Sequence, residues 1–320
     1  MKSGNHIFYS KILLFGEYSV ICDSMGLSIP YTHFKGELSF INEDKYTDLD
    51  YAVNSNKMLQ DYLDHLKRLE QNKELKCSLD LAMFEKDIND GLYFESTIPQ
   101  GFGLGSSGAL VAAIYDRYNP KKIENIRNFS KEEIKDLKQC FSQLESYFHG
   151  VSSGLDPLNS FMKSPLLIKN KEDIRPVGIP RSKHTKDGAI FLINTGSPGK
   201  TEPLVNLFLQ KCKQQSFYKK IRNELIPITE GCIKSIIKGD SKEFFSKLET
   251  LSKFFLSNLS PMIPDKFKEI WKQGLDSKAY YLKLCGSGGG GFLLGFTENF
   301  EKAKKILKQM NIDIIPVYKN

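Results

Sequence analysis

Residues 99–108 read Pro-Gln-Gly-Phe-Gly-Leu-Gly-Ser-Ser-Gly. Glycine at every second position lets the backbone turn through positive φ and lets a ligand come close to main-chain amides. The segment follows an alternating, strand-like run at 92–97 and precedes a helical pattern over 106–118. Amides in such a turn, backed by the free N–H groups and dipole of the helix, make a cradle for an anion. Ser106 and Ser107 add hydroxyls at the helix start, one able to reach a phosphate oxygen and the other a metal carried by the phosphates. A serine-capped turn needs fewer glycines than this. The pattern therefore predicts phosphate binding at Gly101, Gly103, Leu104, Gly105, Ser106, Ser107 and Gly108. The stretch also contains G-x-G-x-x-G at Gly103, Gly105 and Gly108. A dinucleotide site requires an acid ending the next strand, whereas Asp116 and Glu124 lie in or beside the helix.

Phosphoryl transfer needs charge neutralisation, a positioned acceptor and, usually, a metal. Lys11 stands in the first strand ahead of Ile-Leu-Leu-Phe, where a lysine entering an apolar run has either an anionic partner or a route to solvent. Glu145 lies one turn before a helix end at His149, and Asp156 follows in Val-Ser-Ser-Gly-Leu-Asp-Pro. A loop returning Asp156 towards Glu145 would place one acid on Mg and the other on an acceptor hydroxyl. His149 itself reads as a helix-end histidine.

Two further glycine loops compete for the nucleotide. Residues 194–201, Asn-Thr-Gly-Ser-Pro-Gly-Lys-Thr, sit between strand and helix and end like a P-loop. Asn194 replaces the first glycine of that motif and Pro198 removes an amide, so the near-match is read as a turn lining the substrate side. Residues 286–291 hold five glycines in six positions between two strands. A hairpin needs one or two, so the excess predicts close backbone approach to a ligand or to another loop.

The elements that must hold these residues follow from periodicity. Strands are expected at 7–15, 92–97, 189–193, 280–285, 292–296 and 312–318. Helices are expected at 52–71, 106–118, from the Ser-Lys-Glu-Glu capping box at 130 to His149 with Gly150 as its stop, and near 202–214, 218–238, 241–257, 263–274 and 298–309. The second half thus ends β-loop-β-α-β after a group of helices, and mixed elements in both halves predict α+β. Polar segments at 169–175 and 180–186 are the candidate linkers, for a boundary near 170–187.

The 320 residues suit two domains of ordinary size. No apolar run is long enough to span a membrane, and the first ten residues lack a signal-peptide layout, which favours a cytoplasmic protein. Six cysteines are scattered without a C-x-x-C pair, which argues for reduced thiols rather than zinc. The net charge of +7 comes largely from lysines within amphipathic helices, without interleaved exposed aromatics. They read as a solvated face attractive to anionic substrates, not as a nucleic-acid footprint.

In order along the chain, Lys11-Ile-Leu-Leu-Phe-Gly-Glu-Tyr-Ser-Val20, the 99–110 loop and Lys283-Leu-Cys-Gly-Ser-Gly-Gly-Gly-Gly291 resemble the three motifs of the GHMP kinase family, named for galactokinase, homoserine kinase, mevalonate kinase and phosphomevalonate kinase. His149-Gly-x-x-Ser153-Gly-x-Asp156 is similar to the H-G-x-P-S-G-x-D segment of the mevalonate kinase branch, and residues 194–201 resemble that branch's strand-turn. Departures are Tyr9-Ser10 for Pro-Gly, Tyr18 for histidine, Ser152 for proline and Cys285 for threonine. The resemblance implies a two-domain GHMP kinase fold, with an N-terminal mixed α/β domain (1–178) and a C-terminal ferredoxin-like α+β domain (179–320). It implies ATP and Mg as cofactors, Ser107 and Glu145 as Mg-binding, and Asp156 taking the acceptor's proton. Lys11 would lower the pKa of that hydroxyl and keep Asp156 charged. Glu17 would shape the acceptor pocket, with Tyr18, His149, Gly288 and Gly289 on the same side. The expected partner is a small-molecule hydroxyl acceptor, mevalonate first, which would give 5-phosphomevalonate for isoprenoid synthesis. Phosphomevalonate, homoserine or sugar kinases, or a non-catalytic ligand sensor, are the alternatives. No nucleic acid or membrane partner is expected, and the chain would be a monomer or homodimer.

Overall fold

The computed structural model describes residues 6–41, 48–121, 129–180 and 187–319; of the candidate linker at 180–186, all but Pro180 lies outside them. The chain divides into two compact units that are not consecutive stretches. The first comprises the chain up to Lys11, Pro30–Pro99 and Gly105–Ser164. The second comprises Ile12–Ile29, Gln100–Leu104 and the chain from Pro165 onward.

In the first unit, the beginning of β1 (Phe8–Phe15) and the later part of β2 (Gly26–Phe40) meet a group of helices. β2 pairs antiparallel with β3 (Leu92–Ser96) in a register from Gly36↔Ser96 to Phe40↔Leu92. α1 (Leu49–Gln71) buries Ala52, Ser55, Leu59, Tyr62, Leu63 and Leu66, one face at helical spacing. Asp48 starts it by accepting the Tyr51 amide, so the helix begins three residues before the apolar periodicity. α2 (Leu81–Asn89) is capped likewise by Asp80. α3 (Ser106–Tyr118) buries every residue from Gly108 to Ile114, because it is apolar all round and enclosed. α4 (Lys131–His149) opens with the expected capping box, Ser130 and Glu133 each bonding the other's backbone. α5 (Leu155–Met162) follows. The loop expected around Asp156 is therefore a helix, and Asp156 sits in its first turn. Its eight residues are too few to show a period in sequence.

In the second unit, β6 (Ala189–Asn194) lies between β8 (Phe292–Thr297) and β9 (Ile314–Lys319), and β7 (Tyr281–Leu284) completes the antiparallel order β7-β8-β6-β9. Phe191, Leu192, Ile193, Leu293 and Leu294 from its central strands are buried. β2's first residues pair with β4 (Leu166–Ile168), which pairs with β5 (Ile174–Pro176). The helices are α6 (Thr201–Cys212), α7 (Gln215–Lys220), α8 (Ile226–Lys238), α9 (Ser241–Asn258), α10 (Lys268–Ser277) and α11 (Phe300–Gln309). The single helix expected near 218–238 contains a π turn at Ile221–Leu225. Pro227 cannot donate to the carbonyl four residues back, which widens the helix there. β2, α2, α5, β4 and β5 were not legible as elements. β2 contains Pro30 and Gly36, which interrupt its pattern, and β4 and β5 have three residues each.

Candidate active site

The first cluster lies wholly within the first unit, at the start of α3. Gly105, in the left-handed region at φ 74°, occupies the N-cap position, and no side chain caps the helix. α1, α2, α4, α9 and α11 carry side-chain caps, whereas α5, α6, α7, α8 and α10, like α3, do not. The first-turn amides of α3 are thus left to a ligand or water, and the helix dipole favours an anion.

Two glycines let this helix end approach the acid opposite. A Cβ on Gly105 would come within 3.0 Å of Lys11 Cγ and 3.3 Å of Asp156 Oδ2. One on Gly108 would meet the Asp156 carbonyl carbon at 2.7 Å and Pro157 N at 2.8 Å. Gly108, buried, therefore serves the seating of α5 against α3. Lys11 Nζ stands 2.9 Å from Asp156 Oδ1, with the lysine side chain 11% and the aspartate 33% exposed. Of the two alternatives for Lys11, the structure shows the anionic partner: it is Asp156, from a position 145 residues away.

Glu145 is 3% exposed. Its Oε1 accepts from Ser107 Oγ at 3.1 Å and its Oε2 accepts from Ser152 Oγ. Burial and, next, the charge of Asp156 push the Glu145 carboxyl up to about 7, against the opposing effect of the Ser152 and Ser107 hydroxyls and of Lys11. His149, one turn on, places Nε2 2.8 Å from Ser107 Oγ. The structure thus brings together Lys11, Ser107, Glu145, His149 and Asp156, all named from sequence.

The donor set suits magnesium. A hydroxyl and one buried carboxylate face each other across α3 and α4, and the carboxylate's raised proton affinity is what a cation would relieve. No group of three acids, histidines or cysteines able to hold a metal occurs among the described residues. Magnesium is commonly bound through one or two carboxylates plus substrate phosphates rather than an all-protein cage.

The second cluster lies within the second unit, where the three glycine loops pack backbone to backbone. Gly199 N donates to Gly101 O at 3.0 Å, Gly291 N to Ser197 O at 2.7 Å, and Thr195 N to Gly291 O at 2.9 Å. A Cβ on Gly288 would lie 2.4 Å from Met262 O, one on Gly290 2.6 Å from Pro198 O, and one on Gly103 3.3 Å from Cys285 O. Gly289 N donates to Met262 O at 2.7 Å. Of the two uses foreseen for the glycine excess at 286–291, the approach to other loops is the one these contacts display. Leu104 is 1% exposed, so its side chain anchors the loop. Lys200 is the first residue before α6 and makes no side-chain cap.

Glu17 and Tyr18 close onto the end of β7. Glu17 forms a buried ion pair with Lys283, whose ammonium also donates to Leu284 O at 2.7 Å and lies 5.7 Å from the centre of the Phe15 ring. Tyr18 takes a positive φ of 63° and donates its hydroxyl to Ser287 O at 2.5 Å, while its ring meets Phe208 at 4.7 Å. A positive φ on a tyrosine is strained and is held by these contacts. Burial and Glu17 raise the Tyr18 phenol well above its ordinary range. In sequence Lys283 stands out only as part of the third glycine motif. The signal that identifies it resembles that of Lys11: a lysine in a buried strand, here between Leu282 and Leu284.

Residues 66–163 match the family pattern of the GHMP kinases N terminal domain, and residues 232–314 that of the GHMP kinases C terminal. The chain belongs to the GHMP kinase family and is an ATP-dependent kinase. Its curated relatives include the mevalonate kinases of Pyrococcus abyssi, 27% identical over 307 residues (88% of this chain, 85% of the relative), and of Archaeoglobus fulgidus, 25% identical over 299 residues (92% of each). The fold is similar to that of L. major mevalonate kinase in complex with R-mevalonate, with a TM-score of 0.63 at 17% identity, covering 100% of this chain and 97% of that one.

Proposed function

We propose that the chain transfers the γ-phosphoryl group of ATP to a hydroxyl of mevalonate, giving 5-phosphomevalonate and ADP. The observation that carries the reading is the Lys11–Asp156 pair at 2.9 Å beside the uncapped start of α3. The curated relatives named above supply the acceptor.

In this reading the phosphates lie at the first turn of α3, with Gly105, Ser106, Ser107 and Gly108, and Gly101, Gly103 and Leu104 form the stretch that leads into it. Backbone amides and the helix dipole stabilise charge there. Asp156 accepts the acceptor's hydroxyl proton as that oxygen bonds to the γ-phosphorus and the bond to the departing ADP oxygen breaks. The Lys11 ammonium stands against the negative charge developing on the attacking oxygen. Magnesium, when bound, would neutralise phosphate charge, and Ser107 and Glu145 would hold it. Within the first unit His149 is assigned to the acceptor side; within the second, Glu17 and Tyr18 would act through the turn they fix beside Ser287, Gly288 and Gly289.

The test is ADP release measured with mevalonate, phosphomevalonate, homoserine and galactose in turn. Turnover with mevalonate alone is expected. Turnover with another of the four in its place overturns the acceptor, and ATP binding without turnover on any of them favours a ligand sensor.

A further inference from the structure

We propose that Ser152 is a positioning residue for Glu145, fixing which way its carboxylate faces and so how tightly the site takes up a nucleotide-bound divalent cation. The proposal rests on the reading of Glu145 as a metal-holding acid. It adds a residue that stands where the H-G-x-P-S-G-x-D pattern has proline.

Every polar group of Ser152 is engaged. Its amide donates to Ser146 Oγ at 3.1 Å, and its carbonyl accepts from Ser142 Oγ at 2.6 Å. Its Oγ accepts the Gly154 amide at 3.0 Å. Together with the hydrogen bond to Glu145 Oε2, this leaves the hydroxyl proton one direction, towards the carboxylate. Ser146 Oγ in turn donates to Ser142 O at 2.6 Å, so the last turns of α4 grip the segment that follows them.

The consequence is geometric. With Ser107 on one carboxylate oxygen and Ser152 on the other, Glu145 cannot rotate about its last torsion without breaking a charge-assisted bond inside a nearly closed site. The same segment continues through Gly154, where a Cβ would sit 2.3 Å from Lys138 O, into the first turn of α5 and Asp156. Ser152 therefore sets the spacing of the two acids as well as the aim of one. A proline at this position has neither the amide hydrogen nor the hydroxyl, so it can make neither the bond to Ser146 nor the bond to Glu145.

The experiment compares the full chain with Ser152→Ala, Ser152→Thr and Glu145→Gln. Affinity for ATP is measured by calorimetry without acceptor, once with excess magnesium and once with EDTA. Thermal unfolding reports whether each variant is folded. Groups that orient a metal's ligands typically change metal affinity by about 10–100-fold. Ser152→Ala is expected to reduce the magnesium-dependent gain in ATP affinity by roughly tenfold, leaving the affinity in EDTA within about twofold. Ser152→Thr, which keeps the amide and the hydroxyl, is expected to restore most of the gain. A folded Ser152→Ala chain with the parent's full gain overturns the proposal, and so does a threonine variant no better than alanine. If Glu145→Gln keeps the gain, the metal assignment falls and the proposal with it. If Glu145→Gln loses the gain while Ser152→Ala keeps it, only Ser152 is wrongly assigned.

Discussion

Lys283 and Glu17, 266 positions apart, meet as an ion pair with side-chain exposures of 0% and 2%. Removing one partner leaves the other charged and buried, which costs about 3–5 kcal/mol, whereas replacing both by apolar groups is often neutral. Lys283→Met should lower the stability measured by urea unfolding by about that amount, and Glu17→Met combined with Lys283→Met should regain more than half of it. Additive losses in the double variant would show that the two residues are not energetically coupled.

Asp156→Asn keeps the shape of the side chain but cannot accept the acceptor's proton. Turnover by ADP release is expected to fall by roughly 10²–10⁴, with ATP affinity by calorimetry changed by less than about twofold, since the loss is confined to the transition state. A comparable loss in ATP affinity would place Asp156 among the nucleotide contacts instead.

Glycines that look alike in sequence should respond differently. Gly108→Ala would drive a methyl into the backbone of Asp156 and Pro157, and overpacking of this kind costs about 1–3 kcal/mol and displaces α5. Turnover should fall with it. At Gly150 nothing lies within 4 Å of an added Cβ and only the backbone conformation, φ 72° and ψ −58°, is unfavourable, so Gly150→Ala should cost about 1–3 kcal/mol and leave turnover near the parent value. Equal effects on turnover would contradict the role given to Gly108.

The carboxyl of Glu145, raised from 4.5 to about 7, predicts the pH dependence of folding in the absence of nucleotide. The folded chain holds this proton more tightly than the unfolded chain. The contribution is therefore fully present below about 4.5 and lost as pH rises through about 7. Its full size is on the order of 3 kcal/mol. Unfolding free energies measured from pH 4.5 to 7.5 should fall more steeply for the parent than for Glu145→Gln, and parallel curves would deny Glu145 its raised value.

Lys200→Ala should leave ATP affinity within about twofold of the parent, because the near-P-loop lacks the amides and first glycine that grip phosphate. Gly199→Ala in the same loop should be far more harmful to stability, since its Cβ would lie 2.8 Å from Gly288 O. A tenfold loss of ATP affinity in Lys200→Ala would restore that loop as a phosphate site.

Local signals decided much of this protein. The capping box at Ser130, the stop at Gly150 and the span of α3 were readable because caps, glycine stops and apolar periodicity act within a few residues. The same short range made the loop at 99–108 stand out and put Lys11, Glu145 and Asp156 forward as charged residues in unusual company. The pairings are a different matter. That Asp156 lies in a helix turn 2.9 Å from Lys11, that Ser152 holds the second oxygen of Glu145, and that Glu17 is sealed against Lys283 follow from packing between distant segments. Spacing along a chain states which residues could form a site, but burial and backbone contact decide which partner each one finds. For the same reason five glycines at 286–291 could announce a close approach without saying to what. The amide of 195 and the carbonyls of 197 and 262 supply the answer only once the chain is folded.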